Sequence, residues 1–167
     1  MIKRLSDKVW IGALAVVAAM LSLGAGPARA NSDTVDVHLG AENLLADYGF
    51  IADQRDAEAI RALFVTDGSL TIPAGGVSVT GQQAIADTFT QFWKPVAAAG
   101  QQRRHAITGI RITEITGETA RFRAIMNVTG TSPTSGVQIF LTGYYQGEIA
   151  RTEAGWRFKA LEIHADR

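Results

Sequence analysis

The chain has no cysteine, only three histidines and only four prolines among its 167 residues. Without a thiol it forms no disulfide framework, no thiolate metal site and no lipidated cysteine. The histidines stand at His38, His105 and His164 with no local zinc-ligand spacing between them, so no metal is expected. The sequence also lacks the G-x-x-x-x-G-K-S/T run that cradles phosphates and the G-x-S-x-G elbow of serine hydrolases. Nucleotide-dependent and serine-nucleophile chemistry are therefore poor readings, and no cofactor is expected. After residue 30 no apolar run approaches the roughly 18 residues that a membrane-crossing helix needs.

What is present begins with MIKRLSDKVWIGALAVVAAMLSLGAGPARA. Lys3, Arg4 and Lys8 precede an apolar run from Val9 to Ala25, and small residues stand at Ala28 and Ala30. This is the pattern of a secretory signal peptide over residues 1–30, cleaved between Ala30 and Asn31. An uncleaved anchor is the alternative, because the apolar run is nearly long enough to span a bilayer; Gly24, Gly26 and Pro27 favour cleavage. The expected product is a periplasmic or secreted protein with no stable membrane insertion. Residues 31–167 carry 12 Lys and Arg against 15 Asp and Glu, and this mildly acidic balance argues against nucleic acid or anionic membrane as the main partner. Their length suits one domain with one core.

From Asp33 to Tyr48 the apolar residues Val37, Leu44, Leu45 and Tyr48 recur at helical spacing, and the pattern continues through Ile51. Asp56 can cap a second helix, DAEAIRALF, and a third runs from about Gln82 to Phe92 with Ile85, Phe89 and Phe92 on one side. Between them VTDGSLTI reads as a short strand ending at the PAGG turn. After Gly100 the period changes to two. HAITGIRITEI, TARFRAIMNVTG, VQIFLTGYYQGEI and WRFKALEIHA form four successive strands of an antiparallel meander. Three helices followed mostly by strands predict an α+β domain, with Gly109, Gly143 and Gly147 allowing curvature or bulges in the sheet. Alternation puts His105 and Ile107 on one face, and separates Ala124, Met126 and Val128 from Ile125 and Asn127. Helices are expected on one side of this sheet, with a small apolar cavity or a dimer partner on the other.

The phrases LLADYGFIADQRDAEAIRALFVTDGSLTI, GQQAIADTF, RRHAITGIRI, GETARFRAIMNV and GWRFKALEI, in this order, resemble the SnoaL-like branch of the NTF2-like superfamily. The resemblance covers roughly residues 38–164. It implies a cone-shaped fold with three N-terminal helices packed against a curved, mostly antiparallel sheet, and a homodimer. It leaves the activity open, because the same scaffold hosts dehydratases, isomerases, cyclases, hydrolases and binding domains. Members similar to scytalone dehydratase and bile-acid dehydratase use a tyrosine and an aspartate from the first helix and a histidine from the sheet. The matching positions here are Tyr48, Asp53 and His105. A second pocket histidine of scytalone dehydratase-like proteins has no counterpart, and Asn127 in AIMNV is the nearest polar residue.

These residues outline a site. Asp53 can accept a hydrogen bond from His105 Nδ1 and fix its tautomer, leaving Nε2 to take a proton from carbon. Tyr48 can donate to a substrate carbonyl as charge develops there. The expected ligand is a small apolar or aromatic carbonyl compound touched by Asn127, Phe89 and Met126, with Arg104, beside Arg103, available for an acidic group. The leading expectation is a cofactor-independent lyase (dehydratase) or isomerase. The alternative is a noncatalytic small-ligand-binding or dimerisation domain, and epoxide hydrolysis is a weaker third reading. Each residue also has a plain structural reading: Asp53 as a helix-turn cap, Tyr48 as core aromatic, His105 as a polar strand residue.

Overall fold

The computed structural model describes residues 26–134 and 136–166, with side chains from Asp33 onward. The leader expected over residues 1–30 lies outside the described residues except for helical backbone from Gly26. The chain divides into two compact units at Thr34 and Val35, and the second holds everything that follows. Among the described residues no helix is long and apolar enough to cross a membrane.

Helix α1 (Gly26–Gln54) buries Val37, Ala41, Leu44, Leu45, Tyr48 and Ala52, a stripe at the helical period. Gly40 lies on the same side, where any Cβ would run into the Trp156 ring. The close approach lets the Trp156 indole donate to Asp36 Oδ2 at 3.1 Å. The helix stops at Arg55, which takes the left-handed conformation (φ 61°). Arg55 N–H bonds Ala52 O and Asp56 N–H bonds Ile51 O, the paired bonds of a Schellman ending with arginine where glycine is usual. Asp56 then caps α2 (Ala57–Ala62), accepting from Ala59 N–H at 2.9 Å.

The second helix is shorter than its sequence pattern, because Phe64 already begins strand β1 (Phe64–Ile72). One turn of 3-10 helix at Pro73–Gly75 leads to β2 (Val77–Thr80). Helix α3 (Gln82–Ala98) extends past the expected end near Phe92 and carries Pro95 inside it. Pro95 sacrifices one amide bond near the C-terminus, and burial of Trp93 and Val96 against the domain outweighs that loss. Phe92, expected on the buried side with Ile85 and Phe89, is 39% exposed, and Trp93 takes the inward position.

The four long strands are β3 (Gln102–Thr116), β4 (Thr119–Ser132), β5 (Gly136–Thr152) and β6 (Gly155–Ala165), a meander as expected. β1 joins β6 in parallel and β2 pairs antiparallel at the edge, giving a curved, unclosed six-stranded sheet in the order β2-β1-β6-β5-β4-β3. Register shifts near Thr108, Ile112, Val128 and Glu148 bend it. At Gly143 and Gly147 a Cβ would strike the His164 and Ala160 carbonyls of β6, so glycine sets how closely β5 and β6 approach. Alternation along β4 sends Phe122, Ala124, Met126 and Val128 into the core and leaves Arg121, Arg123, Ile125 and Asn127 outside. Tyr48 sits at the centre of the aromatic core, edge-to-face with Phe89, Tyr145 and Phe158. Full burial of a core side chain such as Leu45 or Phe158 contributes about 1.5–3 kcal/mol.

Candidate active site

The end of α1 is tied to the start of β3 by three bonds. Gln102 Nε2 donates to Asp53 O at 3.0 Å, Arg55 Nη1 donates to Gln101 O at 3.0 Å, and His105 N–H reaches Asp53 Oδ2 at 3.4 Å. These hold the last turn of the helix over the strand that carries His105. His105 Nδ1 and Asp53 Oδ1 stand 2.7 Å apart, with only 12% and 8% of the two side chains exposed. The carboxylate therefore fixes the imidazole with its proton on Nδ1 and the lone pair on Nε2. Asp56, not Asp53, caps the next helix.

His105 lines a cavity of about 270 Å³ between the helices and the inner face of the sheet. Tyr48 and Ala52 enter from α1, and Phe89, Phe92 and Trp93 from α3. Met126, Leu141, Tyr145 and Ile163 supply the sheet wall, and Arg103 stands beside His105. The cavity is thus on the helix side of the sheet, where the expectation of a cavity on the opposite face needs correction: the sheet curls toward the helices without meeting α3 along its whole length. The Tyr48 ring lies 6.1 Å from the His105 ring, edge-on. Its hydroxyl hydrogen-bonds that of Tyr145. Burial pushes both phenols well above their ordinary range; the Asp53 charge adds to this, and the bond from Tyr145 partly offsets it for Tyr48. Both hydroxyls consequently keep their protons at neutral pH and remain donors.

Of the residues expected at the site, Tyr48, Asp53, His105, Phe89 and Met126 converge. Two do not. Asn127 pairs with Ala106 across β3 and β4 and is exposed on the outer face, because it alternates with the inward Met126 and Val128. Arg104 is likewise turned out by strand alternation, with 65% of its side chain exposed and Nη1 3.8 Å from Asp53 Oδ2. Arg103, Tyr145, Trp93 and Leu141 complete the wall without having been singled out for it. Arg103 is two residues from His105, a period-two signal that the sequence does contain. Tyr145 depends on the pairing Ala124↔Tyr145, a register that sequence alone does not supply. Among the described residues no group of three histidine or carboxylate side chains is placed to hold a metal ion.

Helices packed on a curved, unclosed six-stranded sheet, with an apolar pocket between them, make this an NTF2-like fold. The profile of the SnoaL-like domain matches residues 34–162, and the chain belongs to that family. Among solved structures, an NTF2-like protein with a cystatin-like fold from Novosphingobium aromaticivorans is 27% identical (TM-score 0.67; 93% of this chain and 92% of that one covered). Rv3472 of Mycobacterium tuberculosis, a protein of unknown function, is 24% identical (TM-score 0.70; 86% and 79% covered). A scytalone dehydratase-like protein from Novosphingobium aromaticivorans is 21% identical (TM-score 0.69; 83% and 89% covered). No curated protein matches the chain.

Proposed function

We propose that this SnoaL-like domain is a cofactor-independent lyase (dehydratase) or isomerase acting on a small, mostly apolar carbonyl compound. The observation that carries the reading is the buried 2.7 Å contact between His105 Nδ1 and Asp53 Oδ1 at the wall of an apolar cavity. Imidazole so oriented accepts a proton from the carbon next to a carbonyl, while Asp53 stabilises the imidazolium that forms. The Tyr48 hydroxyl, polarised by Tyr145, donates to the carbonyl oxygen as it becomes an enolate. In a dehydratase the enolate re-forms the carbonyl, the carbon–carbon double bond forms, and the β-hydroxyl leaves with the proton held by His105. The products are an enone and water, with no change in oxidation state. In an isomerase the same proton returns to a different carbon.

The cavity, just below the roughly 300–1,000 Å³ usual for ligand sites, fits one or two fused rings. A β-hydroxy tetralone and a β-hydroxy indanone are the test substrates. Elimination followed by ultraviolet absorbance is expected with the wild type, falling about 100-fold or more in His105→Ala and Asp53→Asn. No elimination or proton exchange by the wild type on either compound, or undiminished rates in His105→Ala, removes the enzymatic reading and leaves the noncatalytic cup. Export remains part of the proposal: protein recovered from a Gram-negative host is expected to start at Asn31, read by intact mass.

A further inference from the structure

Arg103 is a cation without a counterion. It lines the apolar cavity beside His105, yet among the described residues no carboxylate pairs with it. Its Nε is buried and bonded to nothing. The guanidinium carbon lies 3.7 Å from the centroid of the Phe140 ring, a cation–π contact that leaves Nε without a hydrogen-bond partner. Asp53, on the same side of the site, is engaged by His105 and has Arg104 Nη1 at 3.8 Å. Burial and the neighbouring Arg55 charge both disfavour the charged form of Arg103. Arg55 thus adds positive charge near Arg103, while Asp53 is already committed to His105.

A buried donor left unpaired costs stability, more so when it is charged, and a fork of parallel N–H groups matches a carboxylate. We propose that Arg103 is the anchor for a carboxylate on the ligand, so that the compounds this domain binds most tightly are small cyclic or aromatic ones that carry an acid group. The acid group sits on Arg103 and the apolar body lies against Phe89, Trp93 and Leu141. Arg103 and His105 are alternate residues of one strand face, about 6–7 Å apart along β3. That spacing places the carboxylate a few bonds from the carbon whose proton His105 takes. The placement of the reacting carbon rests on the function proposed above; the recognition of the acid does not.

Naphthoate and its neutral isostere naphthamide are the probes, with binding measured by calorimetry on the full domain at low and high salt. Wild type is expected to bind naphthoate about 10- to 100-fold more tightly than naphthamide, a preference lost in Arg103→Met, partly kept in Arg103→Lys and kept in Arg104→Ala. Arg103→Met is also expected to melt no lower than wild type, because it removes a partly buried cation whose Nε is unpaired, whereas a packing role predicts a lower Tm. Equal affinity of the wild type for the two probes overturns the proposal even if Arg103→Met does not fold. So does a preference that survives Arg103→Met. His105→Ala separates the two claims: it is expected to keep the naphthoate preference while losing proton transfer. Loss of the preference in Arg104→Ala instead of Arg103→Met would assign the acid to the rim and sink this anchor alone.

Discussion

The domain contains two histidine–carboxylate pairs of almost equal length, one on each face of the sheet. His105 and Asp53 meet at 2.7 Å, and His164 and Glu162 at 2.8 Å. Their surroundings differ. The first joins a helix to a strand across 52 residues and faces buried Tyr48 and an apolar cavity. The second joins alternate residues of β6, and 24% and 38% of its side chains are exposed. Glu162 also accepts from Gln146 at 2.9 Å; His164 stacks on Tyr144, and Arg123 covers the same ring. The outer face has a hollow of about 350 Å³, larger than the inner one, lined by Arg121, Arg123, Gln146, Glu148 and Glu162. There Glu148 is already paired with Lys159 and Glu162 with His164. The pair distance is therefore not what marks a site. Near-complete burial of both partners and a mostly apolar cavity wall set the inner pair apart from the outer one.

The largest expected effect breaks the comparison directly. With the β-hydroxy tetralone, His105→Ala is expected to lose about 100-fold or more in kcat/KM, while His164→Ala stays within about twofold of wild type, measured by initial rates. The next contrast uses adjacent residues on opposite faces. Met126→Ala opens a void beside the cavity and is expected to cost about 2–5 kcal/mol in urea unfolding, and the exposed Ile125→Ala about 0.5 kcal/mol or less.

The smallest effect separates the faces by pH. Tyr48 and Tyr145 have folded pKa values raised above the ordinary phenol value of 10.0, so their contribution to stability is intact below that value and is lost as the pH climbs beyond it. Phenolate absorbance from these two residues is expected only as the protein unfolds. Glu162 behaves oppositely: its bonds to His164 and Gln146 hold its pKa below the ordinary 4.5. Its contribution is present above that value and lost as the pH falls through the lowered one, and Glu162→Gln flattens acid unfolding only slightly. Thermal melts from acid to alkaline pH read both limbs.

Most of the frame was legible in the chain because it rests on short-range periodicity. The stripe of α1, the meander after Gly100 and the capping role of Asp56 all follow from spacing within one element. The His105–Asp53 pairing was reachable through family resemblance, since no spacing rule joins residues 52 apart. The errors arose where tertiary context outweighed local pattern. Trp93, one position past Phe92, faces inward, and α3 continues through Pro95 because its last turn is buried. Asn127 was attractive for its chemistry, yet strand alternation with Met126 sends it outward. Arg104 was preferred to Arg103 although only the latter shares the inward face of His105; the period of two was sufficient to choose between them.

The most direct measurement of the central claim follows exchange of the protons next to the carbonyl of β-tetralone in deuterium oxide by proton NMR. It isolates the proton-transfer half of the reaction and needs no leaving group. The buried Asp53–His105 pair predicts exchange well above the buffer rate with wild type and with His164→Ala, and the buffer rate with His105→Ala and Asp53→Asn. Exchange in His105→Ala as fast as in wild type would contradict the account, as would exchange that depends on His164 instead.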